Sequence, residues 1–256
     1  MFFQKKIGGR RRSASRKAPH VPDGIRVYAI GDVHGRLDLL DQLLERIEGD
    51  IGERGKARDQ LVILGDIIDR GPDSRRVIER LRTYSLEGIS PILLCGNHEE
   101  VLLRLLSGEH GILDSWLNFG GAEFLQSYRL NSRDLSGMSE DGALALVRQA
   151  IPLNHREFLE SSIDTVKIGD YLFVHAGIRP NVHLSVQSQK DLRWIRQPFL
   201  DDEGDHGMVV VHGHTISAEV EHRVNRIGLD TGAYRSGRLS AVGLEREQRW
   251  FLEARA

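Results

Sequence analysis

Residues 61–71 read Leu-Val-Ile-Leu-Gly-Asp-Ile-Ile-Asp-Arg-Gly: four aliphatic residues run directly into Gly65-Asp66-Ile67-Ile68-Asp69-Arg70-Gly71. A short aliphatic run closed by glycine is a buried strand. Two aspartates and an arginine just past its end are poor strand-interior residues and belong at a rim. The arrangement recurs four times. Val27-Tyr28-Ala29-Ile30 precedes Gly31-Asp32-Val33-His34-Gly35, and Ile92-Leu93-Leu94-Cys95 precedes Gly96-Asn97-His98-Glu99. Tyr171-Leu172-Phe173-Val174 precedes His175-Ala176-Gly177, and Met208-Val209-Val210-Val211 precedes His212-Gly213-His214-Thr215. Polar residues placed repeatedly beyond the C-terminal ends of buried strands converge on one rim of a sheet, where ligands bind in α/β proteins.

Outward from these strands the period changes. Leu37, Leu40, Leu43, Leu44 and Ile47 recur at helical spacing after the first motif. A second helix, opened by Pro72-Asp73-Ser74, runs through Val77, Ile78 and Leu81, and a third through Val101, Leu102 and Leu105. Three successive strand–helix units imply a parallel sheet at the front of the fold. Residues 108–168 lack strand alternation and contain helical stretches at 143–151 and 155–159, with a loop-like Asn118-Phe119-Gly120-Gly121; they are expected to form a helical insertion covering the site. From Tyr171 onward short strands dominate, at 171–174, 208–211, 226–229, 239–244 and 249–252, and are expected to form a second sheet with hairpin-like connections. The expected fold is α/β, two mixed sheets face to face and flanked by helices.

At 256 residues and 28.9 kDa the chain is long enough for one well-buried core, so residues 23–256 are expected to form one domain. A formal charge of −2 and a pI near 6.6 supply no global reason to expect nucleic acid as a partner. The single cysteine, Cys95, cannot form an internal disulfide, and no apolar stretch approaches the roughly 20 residues that span a bilayer. A soluble, cytoplasmic protein is expected. Residues 1–22 begin with Met1-Phe2-Phe3-Gln4-Lys5-Lys6 and carry Arg10, Arg11, Arg12, Arg16 and Lys17 with no acidic residue, which reads as a disordered basic arm. Its bland reading is a solvated tail; its functional reading is weak contact with an anionic membrane or polyanion.

The motif residues point to metal chemistry. Asp32 and His34, two apart at a strand end, share a face and can address one cation. A carboxylate has two oxygens, so Asp66 can bridge two ions of the kind that two-metal hydrolases hold roughly 3.5–4 Å apart. Asn97, His175 and His214 supply neutral oxygen and nitrogen donors for the second ion. Carboxylate, amide and imidazole together suit manganese, iron or zinc better than calcium, which takes oxygen alone.

In order and spacing, these motifs resemble the pattern GDxHG, GDxxDRG, GNHE, HAG and GHT of the phosphoprotein phosphatase branch of the calcineurin-like metallophosphoesterases, and in particular its small bacterial serine/threonine phosphatases, over residues 27–243. The resemblance implies a four-layer αββα sandwich and a pair of divalent metal ions, manganese foremost. Asp32, His34 and Asp66 would bind one ion; Asp66, Asn97, His175 and His214 would bind the other. It further implies that His98 is the general acid, oriented by Asp69, that Arg70 holds phosphate oxygens, and that Arg196, in Trp194-Ile195-Arg196, is a second phosphate arginine with Arg193 as its local rival. The nucleophile would be a metal-bridging hydroxide. Charge neutralisation by two cations and two guanidiniums is what phosphoryl transfer needs, and no Ser or Cys nucleophile is required.

The leading expectation is a protein serine/threonine phosphatase. The rival is a bis(5'-nucleosyl)-tetraphosphatase or other small-molecule phosphoesterase, whose second motif usually lacks the Asp-Arg pair and whose third ends in Asp; Asp69-Arg70 and Glu99 favour the phosphatase. A reading of another class is a non-catalytic scaffold that binds a phosphorylated partner. His20, His110, His155, His183, His206 and His222 are read as surface or satisfied core residues, and His212 as support for the metal residues. Glu99 is expected to cap or support the His98 helix. Asp230-Thr231-Gly232-Ala233 reads as a strand-end turn that could line the rim.

Overall fold

Period-two alternation along the first apolar run sorts its side chains into two layers: Tyr28 and Ile30 pack among helices, whereas Val27 and Ala29 face a second sheet. The computed structural model describes residues 18–86 and 89–256. Its strands are β1 (Ile25–Ile30), β2 (Arg58–Ile63), β3 (Ile92–Leu93), β4 (Thr165–Ile168), β5 (Tyr171–Val174), β6 (Val209–His212), β7 (Glu221–His222), β8 (Arg226–Gly228), β9 (Arg238–Glu245) and β10 (Gln248–Arg255). Its α-helices are α1 (Leu37–Arg54), α2 (Ser74–Arg82), α3 (Asn97–Ser107), α4 (Leu113–Trp116), α5 (Ala122–Ser127), α6 (Glu140–Ala150), α7 (Leu153–Glu160), α8 (Gln189–Trp194) and α9 (Ala233–Ser236).

One sheet has the order β10-β9-β1-β2-β3 and the other β4-β5-β6-β8-β7. Val27, Val62 and Val242 of the first meet Phe173, Val211 and Ile227 of the second in an apolar layer between the sheets. Outside the first sheet lies the larger helical layer, built on Leu40, Val77, Leu102, Phe124 and Val147. Outside the second lies a thinner one, where Leu172, Val174 and Val210 meet Leu192 of α8, Ile195 and Phe199. The fold is the expected α/β arrangement of two mixed sheets flanked by helices.

Parallel pairing positions the site. β1 pairs with β2 (Ile30 opposite Ile63) and β2 with β3, so the first three motifs leave the first sheet at one edge. In the second sheet β5, β6 and β8 are also parallel. This corrects the expected hairpin-like connections: parallel neighbours need crossovers, and the crossover from β5 to β6 carries α8. Only the edges β4 and β7 pair antiparallel.

A second correction concerns the last two strands. Residues 239–244 and 249–252 belong to β9 and β10, and these form an antiparallel hairpin that joins the first sheet beside β1, with Ile30 opposite Ala241. β9 is apolar on both faces: Leu239 and Ala241 face the helices, Val242 and Leu244 the second sheet. Such a strand is suited to a place covered on both sides. The expected helical insertion also ends early, since residues 165–168 form β4 against β5. Of the expected basic arm, residues 1–17 lie outside the described residues. Its end at residue 22 is corrected, because the segment from 18 is held against the body: Val21 is buried and donates to Arg246 O at 2.8 Å, and His20 N–H donates to Asp170 Oδ2 at 2.9 Å.

Candidate metal centre

Three of the motifs leave their strands through an unusual backbone turn. His34, Asp66, Asp69, Arg70 and His214 all have positive φ, between +44° and +68°. The left-handed region costs an L-residue roughly 1–2 kcal/mol, and such strain concentrates where the surroundings enforce it, commonly at functional sites. Two glycines let the turns approach one another. A Cβ on Gly213 would lie 1.9 Å from Asp32 Oδ1, and one on Gly96 would lie 2.2 Å from Asp66 Oδ1.

Asp66 stands at the centre. Its Oδ2 lies 3.7 Å from His34 Nε2, 3.5 Å from His175 Nε2 and 3.9 Å from His98 Nε2, while Oδ1 accepts the His98 backbone N–H at 3.0 Å. Burial would raise its carboxyl, but the imidazoles of His175, His98 and His34 hold it below the usual carboxylate range. Two groups of donors share it: His34, Asp66 and His98, and Asp66, His175 and His214, each with atoms within 4.8 Å of one another. Asn97 joins the second group, its Oδ1 lying 3.1 Å from His175 Nε2. The ring orientations are set from behind, by contact of His34 Nδ1 with Ile68 O (2.8 Å) and of His175 Nδ1 with Leu64 O (2.7 Å).

Asp32 is buried at the same rim but outside both donor groups. Its oxygens accept the His214 N–H at 3.0 and 3.2 Å, and its carboxyl lies against that of Asp230. Burial, then Asp230 and Asp66, push Asp32 well above the usual range; Asp230 itself is raised to about 6, chiefly by burial.

The donor set fits divalent cations. Three buried carboxylates face one another, and a dication relieves their repulsion. Burial lowers His34 and His214 to about 3 and also lowers His175, which favours the neutral imidazole that a metal ligand needs. His214 Nε2 is buried with no hydrogen-bond partner among the described residues.

Beside these donors His98, Asp69 and Arg70 lie in contact. His98, near the start of α3, has Nδ1 2.6 Å from Asp69 Oδ2. Burial opposes its charge, yet Asp66 and Asp69 raise its pKa to about 9. Its Nε2 lies 3.2 Å from Arg70 Nη2. That contact is a hydrogen bond only when Nε2 is deprotonated; with the ring protonated it brings two cationic groups together, as suits an anion lodged beside them. Arg70 Nη1 donates to Tyr234 OH at 2.7 Å.

A cavity of about 640 Å³ opens here, lined by His34, Asp66, Arg70, Asn97, His98, Arg196, His214 and Asp230 and walled by Val101, Ile112, Trp116, Phe119, Trp194 and Ile216. Arg196 is exposed at its edge. Arg193 is tied to Asp164 at 2.7 Å and Glu100 at 3.4 Å and does not line the cavity, so the structure separates the two neighbours. His212 is also away from the cavity: it packs edge-on against Phe199, and its Nδ1 meets Gly213 O at 3.0 Å. Of the insertion, α4 and the turn after it reach the cavity, whereas α6 and α7 pack on α3 and α2.

Sequence reasoning missed Trp116, whose indole N–H donates to Asp69, and Tyr234, whose ring stands edge-on to His34. Neither sits in a motif, and no spacing rule points to them. It undervalued Asp230. Glu99, expected to cap or support the His98 helix, does both: it accepts from Gly96 N–H at the start of α3 at 2.9 Å and also from Asp66 N–H at 2.7 Å and Ile67 N–H at 2.9 Å.

Comparison with known proteins agrees with this geometry. The family model described as calcineurin-like phosphoesterase matches residues 25–235. The chain is 27% identical over 222 residues to serine/threonine-protein phosphatase 2 of Escherichia coli (strain K12), covering 84% of this chain and 90% of that protein. It is 34% identical over 154 residues to the symmetrical bis(5'-nucleosyl)-tetraphosphatase of Psychromonas ingrahamii, covering 60% of this chain but 44% of that protein. Among solved structures, a putative diadenosine tetraphosphatase superposes with a TM-score of 0.63 at 23% identity, covering 93% of this chain and 99% of that one. A cold-active protein tyrosine phosphatase superposes with a TM-score of 0.55 at 19% identity, covering 91% and 81%. At such identities these two likenesses concern the fold.

Proposed function

The chain belongs to the calcineurin-like phosphoesterase family and is a metallophosphoesterase, and we propose that it is a protein serine/threonine phosphatase working through two divalent ions. The observation that carries this reading is the convergence of His98, held by Asp69, and Arg70 on the cavity beside Asp66. In this reading Asp32, His34 and Asp66 hold one ion and Asp66, Asn97, His175 and His214 the other, with manganese first and iron or zinc as alternatives. When bound, such a pair supplies a water acidified toward neutral pH and positive charge for the phosphoryl oxygens.

The chain's own residues do the rest. Arg70, steadied by Tyr234, and Arg196, without an ion pair or side-chain hydrogen bond among the described residues, hold nonbridging oxygens. His98 carries a proton on Nε2 and hands it to the leaving oxygen, while Asp69 keeps the Nδ1 proton and stabilises the imidazolium.

The phosphatase reading is favoured by the alignment with the Escherichia coli enzyme, which spans 90% of that protein, and by Asp69-Arg70 and Glu99. A dinucleoside tetraphosphatase is the second reading, favoured by the 34% identity to such an enzyme over part of the chain. Turnover of a phosphoserine peptide and of a dinucleoside tetraphosphate by the manganese-loaded protein tests the choice. Preference for the peptide by at least about tenfold in kcat/KM is expected; the reverse preference would overturn it. No helix among the described residues is long and apolar enough to cross a membrane. The lone cysteine, Cys95, is free and buried.

A further inference from the structure

The Asp69 carboxylate is fully buried, and among the described residues only its Oδ2 finds hydrogen-bond partners. That oxygen meets His98 Nδ1 at 2.6 Å and accepts the Trp116 indole N–H at 3.1 Å. Two donors converging on one oxygen fix rotation about the Cβ–Cγ bond; with one donor removed the carboxylate can swing and take the imidazole with it. Trp116 ends α4, and the turn that follows reaches back to the next residue of the same motif: Gly120 O accepts the Arg70 N–H at 3.2 Å. Gly120 has φ +118°, and a Cβ there would lie 2.6 Å from Arg70 N. Residues 116–120 therefore grip Asp69 and Arg70 in succession.

We infer that Trp116 is a positioning residue for proton delivery: its indole N–H holds Asp69 so that Oδ2 faces His98, making the helical insertion part of the acid. The inference rests on the proposed role of His98. A simpler role exists, since the Trp116 ring also packs against Phe124 at 5.7 Å and fills the space beside Gly121. A packing role and a positioning role differ in one measurable respect. Loose packing slows every substrate alike, whereas a misaligned acid slows those whose leaving oxygen needs a proton.

The test compares a phosphoserine peptide, with a poor alkoxide leaving group, and p-nitrophenyl phosphate, whose phenolate leaves without help. Trp116→Phe keeps an aromatic ring and deletes the donor. It should lower kcat on the peptide about tenfold, as expected for loss of a hydrogen bond to a charged group, and leave the aryl ester within about twofold. Benzothienylalanine at position 116, which keeps the indole shape and replaces N–H by sulfur, should reproduce the selectivity if the Phe variant folds poorly. His98→Asn is the control: it should show the same selectivity more strongly, and adding Trp116→Phe to it should cost the peptide nothing further. Equal losses on both substrates for the benzothienylalanine protein, or no loss on either, would overturn the positioning role while a selective His98→Asn leaves the acid intact. An unselective His98→Asn would instead overturn the acid assignment and the inference with it.

Discussion

Glu99 Oε2 accepts the backbone N–H of Asp66 at 2.7 Å, across 33 positions of the chain. The third motif thereby holds the second. Glu99 is fully buried and also accepts from Gly96 N–H and Ile67 N–H, so one carboxylate ties the left-handed turn at Asp66 to the helix that begins at Asn97.

From that tie follows the first prediction. Glu99→Gln keeps the shape but turns one acceptor oxygen into an NH2 group facing N–H donors. It should lower thermal stability by about 1–3 kcal/mol, the cost of a buried donor left unpaired. Because Asp66 moves with its N–H, bound metal per chain should fall as well. Calorimetric melting and metal analysis of the purified variant check this; unchanged values in both would make Glu99 a dispensable cap.

Asp66→Asn should remove metal and activity together, since Asp66 Oδ2 lies within 3.9 Å of imidazole nitrogens from both donor groups. A neutral amide cannot offset two dications. Turnover should fall at least about a hundredfold, with fewer than two ions retained. A variant that keeps two tightly bound ions and near-normal turnover would argue against a shared carboxylate.

Arg196→Ala should weaken inhibition by phosphate or vanadate about tenfold, because its guanidinium edges the cavity with no competing carboxylate among the described residues. Arg193→Ala should leave the inhibition constant within about twofold, as its guanidinium is already spent on Asp164 and Glu100. Inhibition constants for the two variants, measured side by side, distinguish the neighbours, and the opposite ranking would exchange their roles.

Removing residues 1–17 should leave melting temperature and hydrolysis of a small phosphoester unchanged, whereas removing 1–22 should destabilise the protein. The difference is Val21, fully buried against the interior between the sheets, whose burial is worth about 1.5–3 kcal/mol. Equal melting of the two truncations would show that the segment 18–22 contributes nothing. Sedimentation of the full chain and the 1–17 truncation with anionic vesicles across a salt series tests the arm: an electrostatic role appears as binding by the full chain alone, fading as salt rises.

The sequence by itself determined the strands that end in motifs, the helices that follow the first three, and the polar residues that meet at the rim. Those signals are local. A buried strand announces itself by an aliphatic run, an amphipathic helix by its period, and Asp32, His34, Asp66, Asn97, His175 and His214 by standing where a strand has no use for them. What only the tertiary structure decided depends on contact between distant segments. β9 is apolar on both faces, and such a strand fits either sheet; the open edge of β1 settled which. Trp116 meets Asp69 across 47 positions and Tyr234 meets Arg70 across 164, and at neither distance does a residue's own neighbourhood record its partner. Arg193 and Arg196 look alike in the chain, and only Asp164, brought alongside by the fold, takes one of them away from the site. Local chemistry thus fixed which residues could serve the reaction, and packing fixed which were held in place to do so, because orientation is a property of neighbours that the chain meets only once folded.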